Sequence, residues 1–137
     1  MCGSLLNIMS PNCTRFDGQK FENISSTSIG HTFGAMVTFD NNPTILGGYN
    51  YGDIDFDQVE TFENEKWDNL KPLPEPMRLF SAIALNTDQM VVFGGFSGKK
   101  NASLSGTYWF NQMDNMEWSS GPGTFFKDPH EFYYKII

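Results

Sequence analysis

The chain is short of basic residues and of long apolar runs, and each shortage argues against a class of function. It carries 9 Lys and Arg against 16 Asp and Glu, which gives a formal net charge of −7. Nucleic-acid binding needs a basic patch to contact the phosphates, so this balance argues against a nucleic-acid partner but permits a basic protein partner. The longest apolar runs are only a few residues, too short to cross a bilayer, so we expect no membrane insertion.

Cysteine and histidine are also scarce, which argues against a metal centre. Cys2 and Cys13 lie near one end with a spacing that fits no zinc pattern, and His31 and His130 do not complete a ligand set with them. The sequence leaves open whether the two thiols are free or bridged. No serine-nucleophile motif and no phosphate-binding glycine loop is present. We therefore expect no catalytic residue, no metal and no cofactor.

The location of the protein stays open between the extracellular space and the cytoplasm. The first residues lack the basic and long apolar regions of a signal peptide. Three Asn-x-Ser/Thr sequons, which begin at Asn12, Asn23 and Asn101, would mark N-glycosylated surface positions in a secreted protein. The two observations point in opposite directions.

Aromatic residues, glycine and proline are abundant and predict an all-β chain. The sequence has 13 Phe, 13 Gly and 7 Pro in 137 residues, a length sufficient for one ordinary domain. Short aromatic-rich segments between Gly and Pro turns are typical of strands.

Two glycine doublets, Gly47-Gly48 and Gly94-Gly95, lie 47 residues apart. The same offset aligns residues 31–37 with 78–84 and residues 44–48 with 91–95 without a gap. A period of this length indicates one repeated supersecondary unit. The alignment places His31, Arg78 and His130 in one slot, and Phe33, Phe80 and Phe132 in another.

Each repeat predicts four short strands, a to d, separated by turn residues and a proline-rich segment. The whole repeats span residues 31–77 and 78–129, a partial unit with strands c and d spans 1–30, and the first strand of a further repeat spans 130–137. The predicted strands are a (31–39 and 78–85), b (44–48 and 90–95), c (58–63 and 106–111) and d (66–70 and 116–120). The second repeat has the longer spacing from doublet to tryptophan, which predicts a longer loop there.

The order of features along the chain resembles the Kelch repeat over nearly the whole length. It runs from a strand to a glycine doublet, a loop, an aromatic strand and a tryptophan strand. The resemblance implies a β-propeller, here incomplete, in which each repeat is one four-stranded antiparallel blade. Propellers close with about four to eight blades, so we expect a fragment of a larger propeller, or self-association. The residues that carry the resemblance are Gly47, Gly48, Glu60, Phe62, Trp67, Arg78, Gly94, Gly95 and Trp118, with Tyr108 in place of the acidic residue of strand c.

The interaction surface is expected on the loops between strands b and c and between strands d and a, which lie on one face of a propeller. Exposed aromatic and charged side chains on a rigid scaffold are typical of a protein-binding face. We therefore expect a non-enzymatic protein-interaction module whose partner the sequence does not identify. The candidate contact residues are Tyr49, Tyr51, Asp53, Asp55, Asp57, Phe96, Lys99 and Lys100.

Alternatives remain for the function and for single residues. The chain could be the remnant of a secreted propeller enzyme such as a galactose-oxidase-like protein, a WD40-type scaffold, or a nonfunctional truncated copy. The alternating aspartates from Asp53 to Asp57 lack the glycine and glutamate of a calcium loop, so we expect a solvated acidic loop. Glu60 and Arg78 could pair, and the histidines are expected to form hydrogen bonds at a blade edge.

Overall fold

The computed structural model describes residues 2, 10–50, 54–104, 107–111 and 116–120, and these residues contain strands and no helix. The strands form two four-stranded antiparallel sheets, ordered β3-β4-β5-β6 and β7-β8-β11-β12, and two hairpins, β1-β2 and β9-β10. The expected all-β class with four-stranded antiparallel sheets is confirmed. The strands are β1 (Cys13–Phe16), β2 (Phe21–Ile24), β3 (Ala35–Phe39), β4 (Asn42–Leu46), β5 (Val59–Glu63), β6 (Lys66–Asn69), β7 (Ser81–Ala84), β8 (Gln89–Phe93), β9 (Phe96–Ser97), β10 (Ala102–Ser103), β11 (Thr107–Asn111) and β12 (Glu117–Ser120).

Tight turns connect the strands of the first sheet. Asp40 and Asn41, with φ of 47° and 60°, join β3 to β4, and Asn64 and Glu65, with φ of 51° and 63°, join β5 to β6. Two consecutive left-handed residues give a two-residue turn whose twist matches that of the flanking strands, and Asn and Asp tolerate this conformation. The predicted segments 121–129 and 130–137 lie outside the described residues.

The second sheet repeats the strand pairing of the first. Ile45 of β4 faces Glu60 of β5, and Val92 of β8 faces Tyr108 of β11. Tyr108 therefore lies at the position that Glu60 holds in the first sheet. The β9-β10 hairpin, which the sequence did not predict, lies in the connection between β8 and β11.

The gapless alignment of strand a is wrong by one residue. Thr32 bridges to Tyr49 in the first repeat, and Arg78 bridges to Phe96 in the second. Arg78 therefore corresponds to Thr32 rather than to His31.

The next position shifts in the same way, so Phe33 corresponds to Leu79 rather than to Phe80. Both residues have a left-handed backbone, with φ of 54° and 56°. The turn that follows strand a accounts for the shift. It has two residues in the first sheet but three, 86–88, in the second, where the amide of Leu85 donates to the carbonyl of Gln89.

The hydrophobic core lies between the two sheets. It contains residues from both and from the segment that connects them, and alternate residues of β7, Ala82 and Ala84, pack against it. Its buried members are Phe39, Leu46, Val59, Leu73, Met77, Phe80, Met90 and Val92.

The outer face of the second sheet exposes residues that the first sheet buries. Ile83 and Leu85 are 50% and 48% exposed, because strand residues alternate between faces and these two point away from the first sheet. The corresponding residues of the first sheet are Val37, which is half-buried against the core, and Phe39, which is 2% exposed. The second sheet covers this face of the first sheet, whereas no described sheet covers the corresponding face of the second sheet.

The glycine doublet after β4 allows close approach between the sheets. A Cβ atom on Gly47 would lie 2.7 Å from the carbonyl oxygen of Met77 and 2.7 Å from Cε1 of Phe80. The amide of Gly48 donates to the same carbonyl at 2.9 Å. A side chain at Gly47 would clash with the segment that leads into β7.

The N-terminal hairpin β1-β2 packs beside the first sheet. Its pairing of Phe16 with Phe21 has the same spacing as the pairing of Phe62 with Trp67. The indole nitrogen of Trp67 donates to the carbonyl of Ser25 at 2.8 Å. Beyond this contact, an open groove of about 670 Å³ remains between the hairpin and the first sheet.

A disulfide joins Cys2 to Cys13, the pair that the sequence left open. Cys13 begins β1 and is 1% exposed.

Candidate functional site at the loop face

The connection from β4 to β5 and the connection from β6 to β7 lie side by side. The amide of Leu73 donates to the carbonyl of Asp57 at 2.7 Å, and that of Met77 donates to the carbonyl of Phe56 at 3.1 Å. We call the surface that these two connections form, residues 47–50, 54–58 and 70–80, the loop face. Backbone hydrogen bonds hold it on the rigid ends of the sheets, where surface loops present side chains to partners.

Arg78 is the centre of the loop face. Its guanidinium lies 4.5 Å from the ring centre of Tyr49 and 5.1 Å from that of Phe96, and Nη1 lies 3.2 Å from Oδ1 of Asp55. The second oxygen of Asp55 accepts the amide of Gly98. Cation–π contacts of this kind contribute about 0.5–2 kcal/mol each. Arg78 therefore ties the loops of the two sheets together.

These contacts correct three expectations from the sequence. Arg78 pairs with Asp55 and not with Glu60. The Asp55 side chain is 2% exposed, so it is not part of a solvated acidic loop. Tyr49 and Phe96, expected to be exposed, are half-buried against Arg78.

Two exposed apolar residues lie next to this cluster. Phe33 is 56% exposed and Leu79 is 61% exposed, and the amide of Leu79 donates to the carbonyl of Phe33 at 2.9 Å. The Phe33 ring stacks on Tyr49 with centroids 5.6 Å apart and planes 15° apart. We call Phe33, Leu79 and the Tyr49 ring the apolar patch.

The backbone of the apolar patch is strained. Residues other than glycine in the left-handed region cost about 1–2 kcal/mol, and Phe33 and Leu79 both adopt it. Such strain clusters at binding sites, because the surrounding structure must hold it in place. Sequence reasoning missed Leu79, because the alignment paired Phe33 with Phe80.

A buried polar group joins strand β5 to the segment before β3. Glu60 is 2% exposed and accepts hydrogen bonds from the Ser28 amide, the Ser28 hydroxyl and Nε2 of His31, each at 2.9 Å. Burial alone would raise the pKa of Glu60, but the hydrogen bonds from His31 and Ser28 outweigh it and hold the pKa below its usual value.

Both ring nitrogens of His31 lie within hydrogen-bonding distance of an oxygen. Nδ1 lies 2.6 Å from the carbonyl oxygen of Gly47, which can only accept, and Nε2 donates to the ionised Glu60. The His31 side chain is fully buried. Both nitrogens are engaged, so the buried ring joins the doublet to β5.

The second sheet has a different polar group at the same position. The Tyr108 hydroxyl donates to Glu75, which also pairs with Lys100. Burial tends to raise the pKa of Glu75, but the bonds from Lys100 and Tyr108 lower it below its usual value. The hydrogen bond to Glu75, together with burial, raises the pKa of Tyr108 to about 12.

The remaining candidate residues divide between structural and exposed positions. Phe62 is buried, Trp67 is half-buried, and Trp118 packs against the core and donates from its indole nitrogen to the carbonyl of Lys71 at 3.1 Å. Tyr51 and Asp53 lie outside the described residues. The exposed candidates are Lys99, Lys100, Asn12, Asn23 and Asn101.

No protein-family model and no curated protein matches the chain. A function is therefore inferred from the geometry of the described residues. Within the described ranges, no three His, Cys, Asp or Glu side chains are placed to hold a metal ion. The same part of the chain contains no helix long and apolar enough to span a bilayer.

Proposed function

We propose that the chain is a section of a Kelch-type β-propeller that binds a protein partner through its loop face. The observation that carries this proposal is the apolar patch, in which Phe33 and Leu79 are exposed on a left-handed backbone beside the fixed Arg78. Exposed aromatic and aliphatic anchors next to an arginine are the materials of binding hot spots.

The propeller part of the proposal is supported by the outer face of the second sheet. Ile83 and Leu85 are exposed at the positions where Val37 and Phe39 of the first sheet pack into the core. A further four-stranded sheet on this face would bury them as the second sheet buries Val37 and Phe39. The matching strand orders of the two sheets support the same arrangement.

The partner is expected to present an apolar side chain flanked by basic residues. The chain has a net charge of −7, which favours a basic partner through long-range attraction. The apolar patch provides the desolvated contact, and Arg78 is already neutralised by Asp55. Raised salt should therefore slow association more than it speeds dissociation.

Site-specific photo-crosslinking tests the proposal. A photoreactive phenylalanine analogue is placed at position 33 or 79 and, as a control, at Met116, which is 43% exposed in the turn before β12. Irradiation in cell extract should give the same discrete adduct from positions 33 and 79 and none from position 116. Adducts of equal yield from all three positions, or from position 116 alone, would contradict a binding site at the loop face.

A further inference from the structure

Two of the three sequons lie on exposed strand or turn positions that the proposed function does not use. Asn23 is exposed on β2, and Asn101 is exposed in the turn between β9 and β10 with φ of 49°. Their hydroxyl partners, Ser25 and Ser103, are exposed as well. A sugar on either asparagine would extend into solvent without displacing a buried group.

The disulfide gives an independent indication of the compartment. Cys2 and Cys13 are joined, and disulfides persist in oxidising compartments and are rare in the cytosol. N-glycosylation takes place in the same secretory compartments. The disulfide and the sequons therefore point to one environment.

We infer that Asn23 and Asn101 are N-glycosylation sites of this chain. In the transfer, the side-chain amide nitrogen attacks the anomeric carbon of a lipid-pyrophosphate-linked oligosaccharide. The new bond joins nitrogen to carbon, the bond from carbon to the pyrophosphate oxygen breaks, and the lipid pyrophosphate leaves while the amide nitrogen gives up one proton. The Ser at the third position of each sequon is part of the acceptor motif.

Asn12 is the poor acceptor of the three. Its Oδ1 accepts the Ser26 hydroxyl at 3.2 Å, and the middle residue of its sequon, Cys13, is in the disulfide. Closure of the hairpin therefore ties the side chain of Asn12 to Ser26, whereas the side chains of Asn23 and Asn101 form no hydrogen bond among the described residues. We therefore expect a glycan on Asn23 and on Asn101 but not on Asn12.

The test is isotopic mapping of the full chain, purified from its native cells and, for variants, secreted from a eukaryotic host behind a cleavable leader. Peptide-N-glycosidase in ¹⁸O-water converts a glycosylated asparagine to labelled aspartate. Label is expected at positions 23 and 101 and not at position 12. Absence of label at 23 or at 101 overturns that site, and label at 12 overturns the shielding argument.

Variants of the hydroxyl residue separate glycosylation from folding. Ser25→Ala and Ser103→Ala should each remove one label, while Ser25→Thr and Ser103→Thr should keep it. Ser25 also donates to the carbonyl of Glu65, a bond that Thr preserves. Loss of label in the Thr variants as well would count against the assignment.

Discussion

The two sheets have the same topology but meet the same polar requirement in different ways. In the first sheet the carboxylate is on the strand, where Glu60 accepts from His31 and Ser28. In the second sheet the strand carries Tyr108, and the carboxylate of Glu75 comes from the connection before β7. Each of these hydrogen-bonded groups links the third strand of a sheet to the segment that precedes the first strand of that sheet. A carboxylate therefore lies at this point in both sheets. The third strand provides it in the first sheet, and the preceding connection provides it in the second.

The largest expected effect is the removal of the first carboxylate. Glu60→Ala breaks the buried pair with His31 and removes the acceptor of both Ser28 hydrogen bonds, which costs about 3–5 kcal/mol of unfolding free energy. Chemical denaturation measures the loss. Glu63→Ala, at the exposed end of the same strand, is the control and should change stability by less than about 0.5 kcal/mol. Equal losses in the two variants would show that Glu60 has no special role.

The glycine doublets give the second comparison. Gly47 and Gly94 have similar left-handed φ of 55° and 70°, but among the described residues a Cβ on Gly94 would meet only the carbonyl of Leu104, at 3.9 Å. Gly94→Ala should therefore cost about 1–2 kcal/mol from backbone strain alone. Gly47→Ala adds about 1–3 kcal/mol from overpacking against Met77 and Phe80. Equal shifts of the denaturation midpoint in Gly47→Ala and Gly94→Ala would contradict the close contact at Gly47.

The smallest effect belongs to the polar group of the second sheet. Tyr108→Phe removes one hydrogen bond but leaves Glu75 paired with Lys100, so it should cost about 1 kcal/mol near neutral pH. The pKa of Tyr108 is raised from 10.0 to about 12, so its contribution is complete below pH 10 and is lost as the pH rises toward 12. The Phe variant should lose less stability than the parent over this range. Parallel stability curves would contradict the bond to Glu75.

Sequence reasoning reached the features that depend on local pattern. The doublets, the alternation of strand c and the tryptophan spacing predicted two four-stranded sheets, because these signals lie within a few residues of the turns they define. The repeat also placed Tyr108 at the strand position that Glu60 holds in the first sheet.

Features that depend on one extra turn residue or on distant contacts were missed. The additional residue in the turn at 86–88 displaced the alignment of strand a, so the sequence did not pair Phe33 with Leu79. The contact between Arg78 and Asp55 joins residues far apart in the chain, and no periodicity encodes it. The apolar patch could be found only when the two strands were placed side by side.

Native-state hydrogen exchange tests the packing of the two sheets most directly. The amides of Gly48 and Leu79 donate across the junction, to Met77 and Phe33, at 2.9 Å each. If the sheets pack as neighbouring blades, both amides should exchange only through global unfolding, with the same free energy as the amides inside β4 and β8. Rapid exchange at Gly48 and Leu79 while β4 and β8 stay protected would show that the sheets do not form this junction.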